Sequence, residues 1–354
     1  MWTKTDDGSI IDQQGKVIFF STERFVNDIC LGNCCFICGA RRGEKTFNDE
    51  HILPRWLLKK YDLFQKTITL PNETTVRYGT YTVSCCKDCN SLMGREIETP
   101  ISEVVQGGPD AINDFIASGH LLKVIIWMGL IFLKTHLKDR SLSLNLDKRL
   151  GTERIADGYE WEKLHHVHSV VRCFFTGCFV EREAVGSFLS LPVRTEVSAD
   201  QFDFADLYYE QTMLLRMGDL ALLTVFDDSG GVLSYFCKRL ERITGPVSEL
   251  QLREIMAEFA FLNLHLRERP VFYTECDRIQ QTCRVIGRRP QLDLSELDMT
   301  VRGRLLRHTL RHALDIVRVP GLSESEVLEE MSSGRFTLLF DDEGNFITQS
   351  VQPI

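Results

Sequence analysis

Cys35-Phe36-Ile37-Cys38, Glu50-His51-Ile52-Leu53-Pro54 and Cys86-Lys87-Asp88-Cys89-Asn90 follow one another in a single stretch, residues 35–98. Zinc takes four soft ligands in a tetrahedron, and a Cys-x2-Cys knuckle supplies two thiolates from one tight turn. Two knuckles complete a closed site. The spacing therefore predicts a structural Zn2+ held by Cys35, Cys38, Cys86 and Cys89. Cys34 and Cys85 adjoin ligands, so a one-residue change of register would exchange them. These two and Cys30, Cys173, Cys178, Cys237, Cys276 and Cys283 are expected as small apolar side chains in the core.

Between and after the knuckles stands more than a zinc site needs. His51 offers a neutral imidazole base near pH 7. Glu50, its neighbour on an expected strand, faces the other way and offers a hard carboxylate oxygen to a divalent cation. Asn90, at the start of a helix directly after the last thiolate, offers an amide oxygen to the same cation. Hydrolysis of a phosphodiester needs these two parts. A base activates water, and Mg2+ or Mn2+ stabilises the charged phosphorus centre and the leaving oxygen. The structural zinc would position Asn90 through Cys89.

In this order, Cys-x2-Cys, Glu-His and Cys-x2-Cys-Asn resemble the zinc-containing HNH (ββα-metal) endonucleases of the endonuclease VII type. The resemblance extends to Cys89-Asn-Ser-Leu-Met-Gly-Arg-Glu-Ile-Glu98 and covers about residues 33–98. It implies His51 as general base and Glu50 with Asn90 as ligands of the catalytic cation, in an enzyme acting on DNA. Restriction or bacterial anti-phage defence is the implied setting. The family's middle Asn, which orients the histidine, has no obvious counterpart. Asn72 is the candidate, with Asn48 and Asp49 as local alternatives. A zinc ribbon that only binds nucleic acid or protein is the alternative, with His51 a core histidine and Glu50 a surface carboxylate. Arg55 would position a phosphate or cap a helix face, and Glu98 would be a further metal or histidine partner or, more plainly, a solvated helix-end carboxylate.

With 354 residues, the chain is longer than one typical domain. The boundaries expected are a 1–30 hairpin extension, a 31–100 metal-binding domain, a 101–140 helical connector and a 141–354 mixed recognition or regulatory domain. The polar loop 138–159 marks the main boundary. The fold class expected is α+β. Twelve cysteines with no apolar leader favour a reducing, cytoplasmic setting over a disulfide framework. Leu121–Leu133 is too short to span a membrane.

Within the first hundred residues, strands are expected over 9–20 (a hairpin at Gln14-Gly15), 67–70 and 74–84, and helices over 56–61 and from Asn90 to Pro100. Beyond, helical patterns run over 110–137, 248–266 and 299–319. Strands are expected over 167–180, 187–193 and 212–217, and hairpins at Asp228-Ser-Gly-Gly231 and over 336–348.

The formal net charge is −9, while residues 1–100 balance 13 Lys+Arg against 13 Asp+Glu. Contact with DNA therefore requires basic residues gathered locally. The helix at 299–319 provides them: Arg304, Arg307, Arg311 and Arg318 fall on one face, about one sixth of the circumference at ~100° per residue. They are the candidate phosphate contacts, against a solvated basic face as the plain reading. The histidines of Leu164-His-His-Val-His168 and the pair His308/His312 have ligand-like spacing, but core roles are the plainer reading. A homodimer is expected, because a second site on a partner copy would help in making double-strand breaks. An activating ligand or protein partner would restrain the enzyme until recruited.

Overall fold

A computed structural model describes residues 2–194, 201–313, 317 and 323–348. The fold is mixed α and β, as expected. The chain divides into two compact units, neither of them continuous in sequence. Unit 1 is Met1–Gly107, Asp114–Ala184 and Phe272–Gly287; unit 2 is Gly108–Asn113, Val185–Val271 and Arg288–Ile354. These units do not coincide with boundaries at 30, 100 and 140. The loop at 138–159 lies inside unit 1, fastened by buried Ile155 and Ala156.

Unit 1 begins with an antiparallel sheet of β1 (Thr3–Lys4), β2 (Ile10–Ile11) and β3 (Val17–Phe19). Asp12 closes the expected hairpin by accepting from the backbone N–H groups of Gln14 and Lys16. Gly15 supplies the positive φ of +79° that the turn requires. β4 (Phe47–His51) is followed by helix α1 (Arg55–Lys60) and the small pair β5 (Thr67–Thr69) and β6 (Thr75–Arg77). The single strand expected over 74–84 is broken by a turn of 3-10 helix, Tyr78–Thr80, before β7 (Thr82–Cys86). β7 pairs antiparallel with β4, placing Glu50 opposite Val83 and His51 opposite Thr82.

Helix α2 (Lys87–Met93) leaves β7 directly. Pro100 does not end it. A wider π-helical turn, Gly94–Glu98, leads into α3 (Thr99–Val105), so Pro100 sits in the first turn of a new helix, where its missing N–H has no intrahelical role.

The core of unit 1 is α4 (Leu121–Asp139), in which 15 of 19 residues are buried. Among the described residues one helical run is long and apolar enough to cross a membrane by length and composition, and it contains α4, much of it buried inside the protein. The stretch 167–180, expected as a strand, is mostly helix: α5 (His165–Val171), a short turn of helix, and only then β8 (Phe179–Val180). β-branched residues suggested a strand, but Val167, Val170 and Val171 are buried at helical spacing. A hairpin unforeseen in the sequence, Val271–Asp277 and Thr282–Arg288, joins β8 through a parallel pairing.

Unit 2 is built on an antiparallel sheet in the order β10 (Phe202–Leu207), β11 (Thr212–Met217), β12 (Leu220–Val225), β9 (Phe188–Pro192). The hairpin expected at Asp228 is instead a strand-to-helix turn, which opens α6 (Gly231–Leu240). α7 (Glu249–Leu264), capped by Ser248 and Gln251, packs Leu252, Ile255 and Phe259 against sheet residues Leu214, Leu223 and Val225. α8 (Met299–Leu310) and α9 (Glu324–Ser333) add Leu306, Leu310 and Met331 to the same core. α8 ends at Leu310, with a turn over 311–313; positions 314–316, 318 and 319 of the helix expected over 299–319 lie outside the described residues. Over 336–348 the expected hairpin is reduced to a single bridge, Phe340 to Phe346, around the Asp341 turn.

Candidate metal centre and the histidine beside it

The two Cys-x2-Cys knuckles meet. The Sγ atoms of Cys35, Cys38, Cys86 and Cys89 all lie within 4.8 Å of one another, and no other cluster of ligand type is as tight among the described residues. A tetrahedron with metal–sulfur bonds of about 2.3 Å has S···S edges of about 3.8 Å. Cys38 and Cys86 stand 3.6 Å apart, so the thiols fit an ion such as zinc. Cys85 Sγ lies 3.7 Å from Cys35 Sγ but outside the tetrad, which fixes the register expected from the spacing.

Sequence gave no sign of what holds the first knuckle from behind. His168, fully buried on α5, places Nε2 2.8 Å from the Phe36 carbonyl oxygen. Arg172, one turn on and equally buried, donates from Nε to the Ile37 carbonyl at 2.6 Å and from Nη2 to the Val17 carbonyl at 2.5 Å. The loop carbonyls flanking the thiolates are thus satisfied by the core. Burial, with the Arg172 charge next, holds the His168 imidazole well below its usual range. His165 and His166 similarly bond the carbonyls of Phe20 and Ala184. These three histidines are core side chains, not ligands.

β4, β7 and α2 form a strand–strand–helix unit around the tetrad. His51 ends the first strand, half-buried, with its ring bonded to the Gly79 carbonyl. Burial, opposed by the Glu50 charge, lowers its pKa below the ordinary histidine value. The histidine is therefore oriented by a backbone carbonyl from the 3-10 turn. Asn72, the sequence candidate, is elsewhere: its Nδ2 donates to the Ser143 and Leu144 carbonyls. Asn48 instead accepts from Asn90 Nδ2 at 3.1 Å.

Glu50 is 8% exposed, and its Oε1 accepts from Lys134 Nζ at 2.7 Å. The same ammonium donates to the His51 carbonyl at 2.8 Å and lies 3.9 Å from Glu98 Oε1. Glu98 is thus no solvated helix end. Desolvation, offset by Lys134, pushes its carboxyl up to about 7. The structure ties Glu50 to Lys134 and Asn90 to Asn48.

Neither a protein-family model, nor a curated protein, nor a solved structure matches this chain.

Arg55 is exposed at the start of α1, and its charge reaches His51. On α8, Arg304 and Arg307 are exposed, with Arg307 bonded to Ser332. Arg311 follows the helix and stands between His308 and His312, at 3.1 Å and 2.8 Å. A guanidinium between the two rings rules out that pair as a metal site in this arrangement. Arg318 lies outside the described residues. Arg302 is buried instead, ion-paired to Glu254 at 3.1 Å and to Glu258.

Proposed function

We propose that unit 1 carries a cation-dependent endonuclease site of the HNH kind, hydrolysing DNA phosphodiester bonds with His51 as general base. The observation that carries this reading is the strand–strand–helix unit: His51 stands at the end of its first strand, beside the thiol tetrad, with the Gly79 carbonyl fixing its ring. A nitrogen donating to that carbonyl leaves the other with its lone pair free to take a proton from water. Glu50 and Asn90 would hold Mg2+ or Mn2+ through carboxylate and amide oxygens. The ion would supply charge stabilisation at the leaving oxygen. Arg55, Arg304, Arg307, Arg311 and Arg318 would bind phosphates without reading sequence. A second copy, an activating partner and a place in anti-phage defence or restriction belong to this same reading.

Plasmid cleavage by purified protein tests it, with Mg2+, Mn2+ or EDTA. Wild type should nick or linearise DNA only with the cation, and His51→Ala should cut ~10²–10⁴-fold more slowly. Equal cutting by His51→Ala would sink the assignment. One observation favours a second reading, a thiolate-metal module that binds without cutting: the Glu50 carboxylate is already paired with Lys134. Retention of DNA with no cleavage in either metal supports that module.

A further inference from the structure

Three cysteines outside the tetrad come together where the unforeseen hairpin meets β8. Cys276 and Cys283 face each other across the hairpin with Sγ atoms 2.8 Å apart, both as free thiols. That is closer than two sulfurs rest without bonding. Cys178, directly before β8, interacts with Cys283 from the other side. The pairs Arg284–Glu275 and Arg284–Glu181, both at 3.4 Å, clamp the strands on either side of the thiols. An open cleft of about 890 Å³, lined by Trp2, Thr176, Cys276, Gln281, Cys283 and Arg284, leads to them. Cys276 is part-exposed, while Cys283 is buried.

We propose that Cys276 and Cys283 are an oxidisable dithiol, converted to a disulfide by hydrogen peroxide that enters through this cleft. One sulfur attacks a peroxide oxygen, the O–O bond breaks, and a sulfenic acid and one water form. The second thiol attacks the sulfenic sulfur, the S–S bond forms, the S–O bond breaks, and a second water leaves. Two electrons pass from sulfur to the peroxide, and both thiol protons end in water. Cys178, directly before the strand that pairs with the Cys283 strand, is the third thiol nearby and the competing partner for disulfide exchange. Its own thiol is held down to about 7, by the bond from Cys283 first and then Thr176 and Arg172, against burial. None of these three thiols belongs to the metal tetrad, and the proposal is independent of the nuclease reading.

The test uses the full metal-loaded chain, treated with hydrogen peroxide, alkylated under denaturing conditions and digested with trypsin. Cleavage after Arg278 separates the two cysteines, so a disulfide appears as one linked pair of peptides. The expected result is a Cys276–Cys283 linked pair, reversed by dithiothreitol, at peroxide doses that leave the metal content unchanged. Cys178→Ser should still give that pair, and Cys276→Ser should not, with metal content and circular dichroism confirming that each variant folds. Full alkylation of Cys276 and Cys283 after peroxide overturns the proposal. So does a Cys178–Cys283 pair as the main wild-type product, or a second bound metal that Cys276→Ser removes.

Discussion

Lys134 shows how much one side chain can decide. Its side chain is 1% exposed, and burying such a charge costs several kcal/mol unless every donor is met. Here the Glu50 carboxylate and His51 carbonyl accept from it, and the Glu98 carboxyl stands close by. Lys134→Met would leave two neighbouring carboxyls without their cation. Its unfolding free energy in urea should fall by about 3–5 kcal/mol, and adding Glu50→Gln should recover part of the loss. If the single variant is as stable as wild type, the pair is not structural, and Glu50 is free to ligate. A second residue sets a pH dependence. Burial, opposed by the bond to Ala184, takes His166 down to about 4 from an ordinary 6.5. Between those values the unfolded chain binds a proton that the folded chain refuses, so stability falls as pH drops from 6.5 to 4. The loss should reach about 3 kcal/mol relative to His166→Gln, read from urea midpoints across that range. Parallel pH curves for the two proteins would contradict it.

At the scale of elements, chemistry proved more legible than conformation. The tetrad was readable because ligand spacing is set by coordination geometry, which does not depend on the rest of the fold. Glu50, His51 and Asn90 stand on the strand and helix expected of them. What was not readable is how distant segments complete their bonds: Lys134 on Glu50, Gly79 on His51, and Arg172 on the knuckle. Each lies far along the chain or acts through backbone, where side-chain type gives no signal. Local misreadings had local causes. Asp228-Ser-Gly-Gly has the composition of a hairpin turn, with positive φ at Ser229 and Gly230. Yet the Asp228 carboxylate is buried and accepts from Ser187 N at 2.6 Å and Val232 N at 2.7 Å, joining β9 to the first turn of α6. Asp228→Ala should therefore cost about 2–4 kcal/mol in urea unfolding, since two buried N–H groups lose their acceptor. Asp228→Asn, which keeps one carbonyl, should cost less. Equal stability of all three proteins would place the carboxylate outside the fold's energetics.

On the scale of the whole molecule, the chain passes between the two units five times, so each core is assembled from separated segments. Cutting at 140 would remove α5, and with it the His168 and Arg172 that hold the first knuckle. A metal at the tetrad would make a comparable long-range link, joining residues some fifty positions apart before any tertiary packing is counted. Structural zinc of this kind contributes folding energy directly, because the unfolded chain offers no preformed site. The core of unit 2 is apolar among the described residues: Leu214, Leu223, Phe259, Leu306 and Met331 are contacts among sheet and helices. Chelation should therefore act unevenly. After metal removal, amide hydrogen exchange should accelerate by at least about 100-fold in β4, β7 and α2, the elements next to the tetrad, while β11, β12 and α7 stay protected. Mass-resolved exchange on the same sample, with and without zinc restored, reads both at once. Uniform loss across the chain would show that unit 2 depends on the metal as much as unit 1 does. No change anywhere would mean that the tetrad holds no ion that matters to folding.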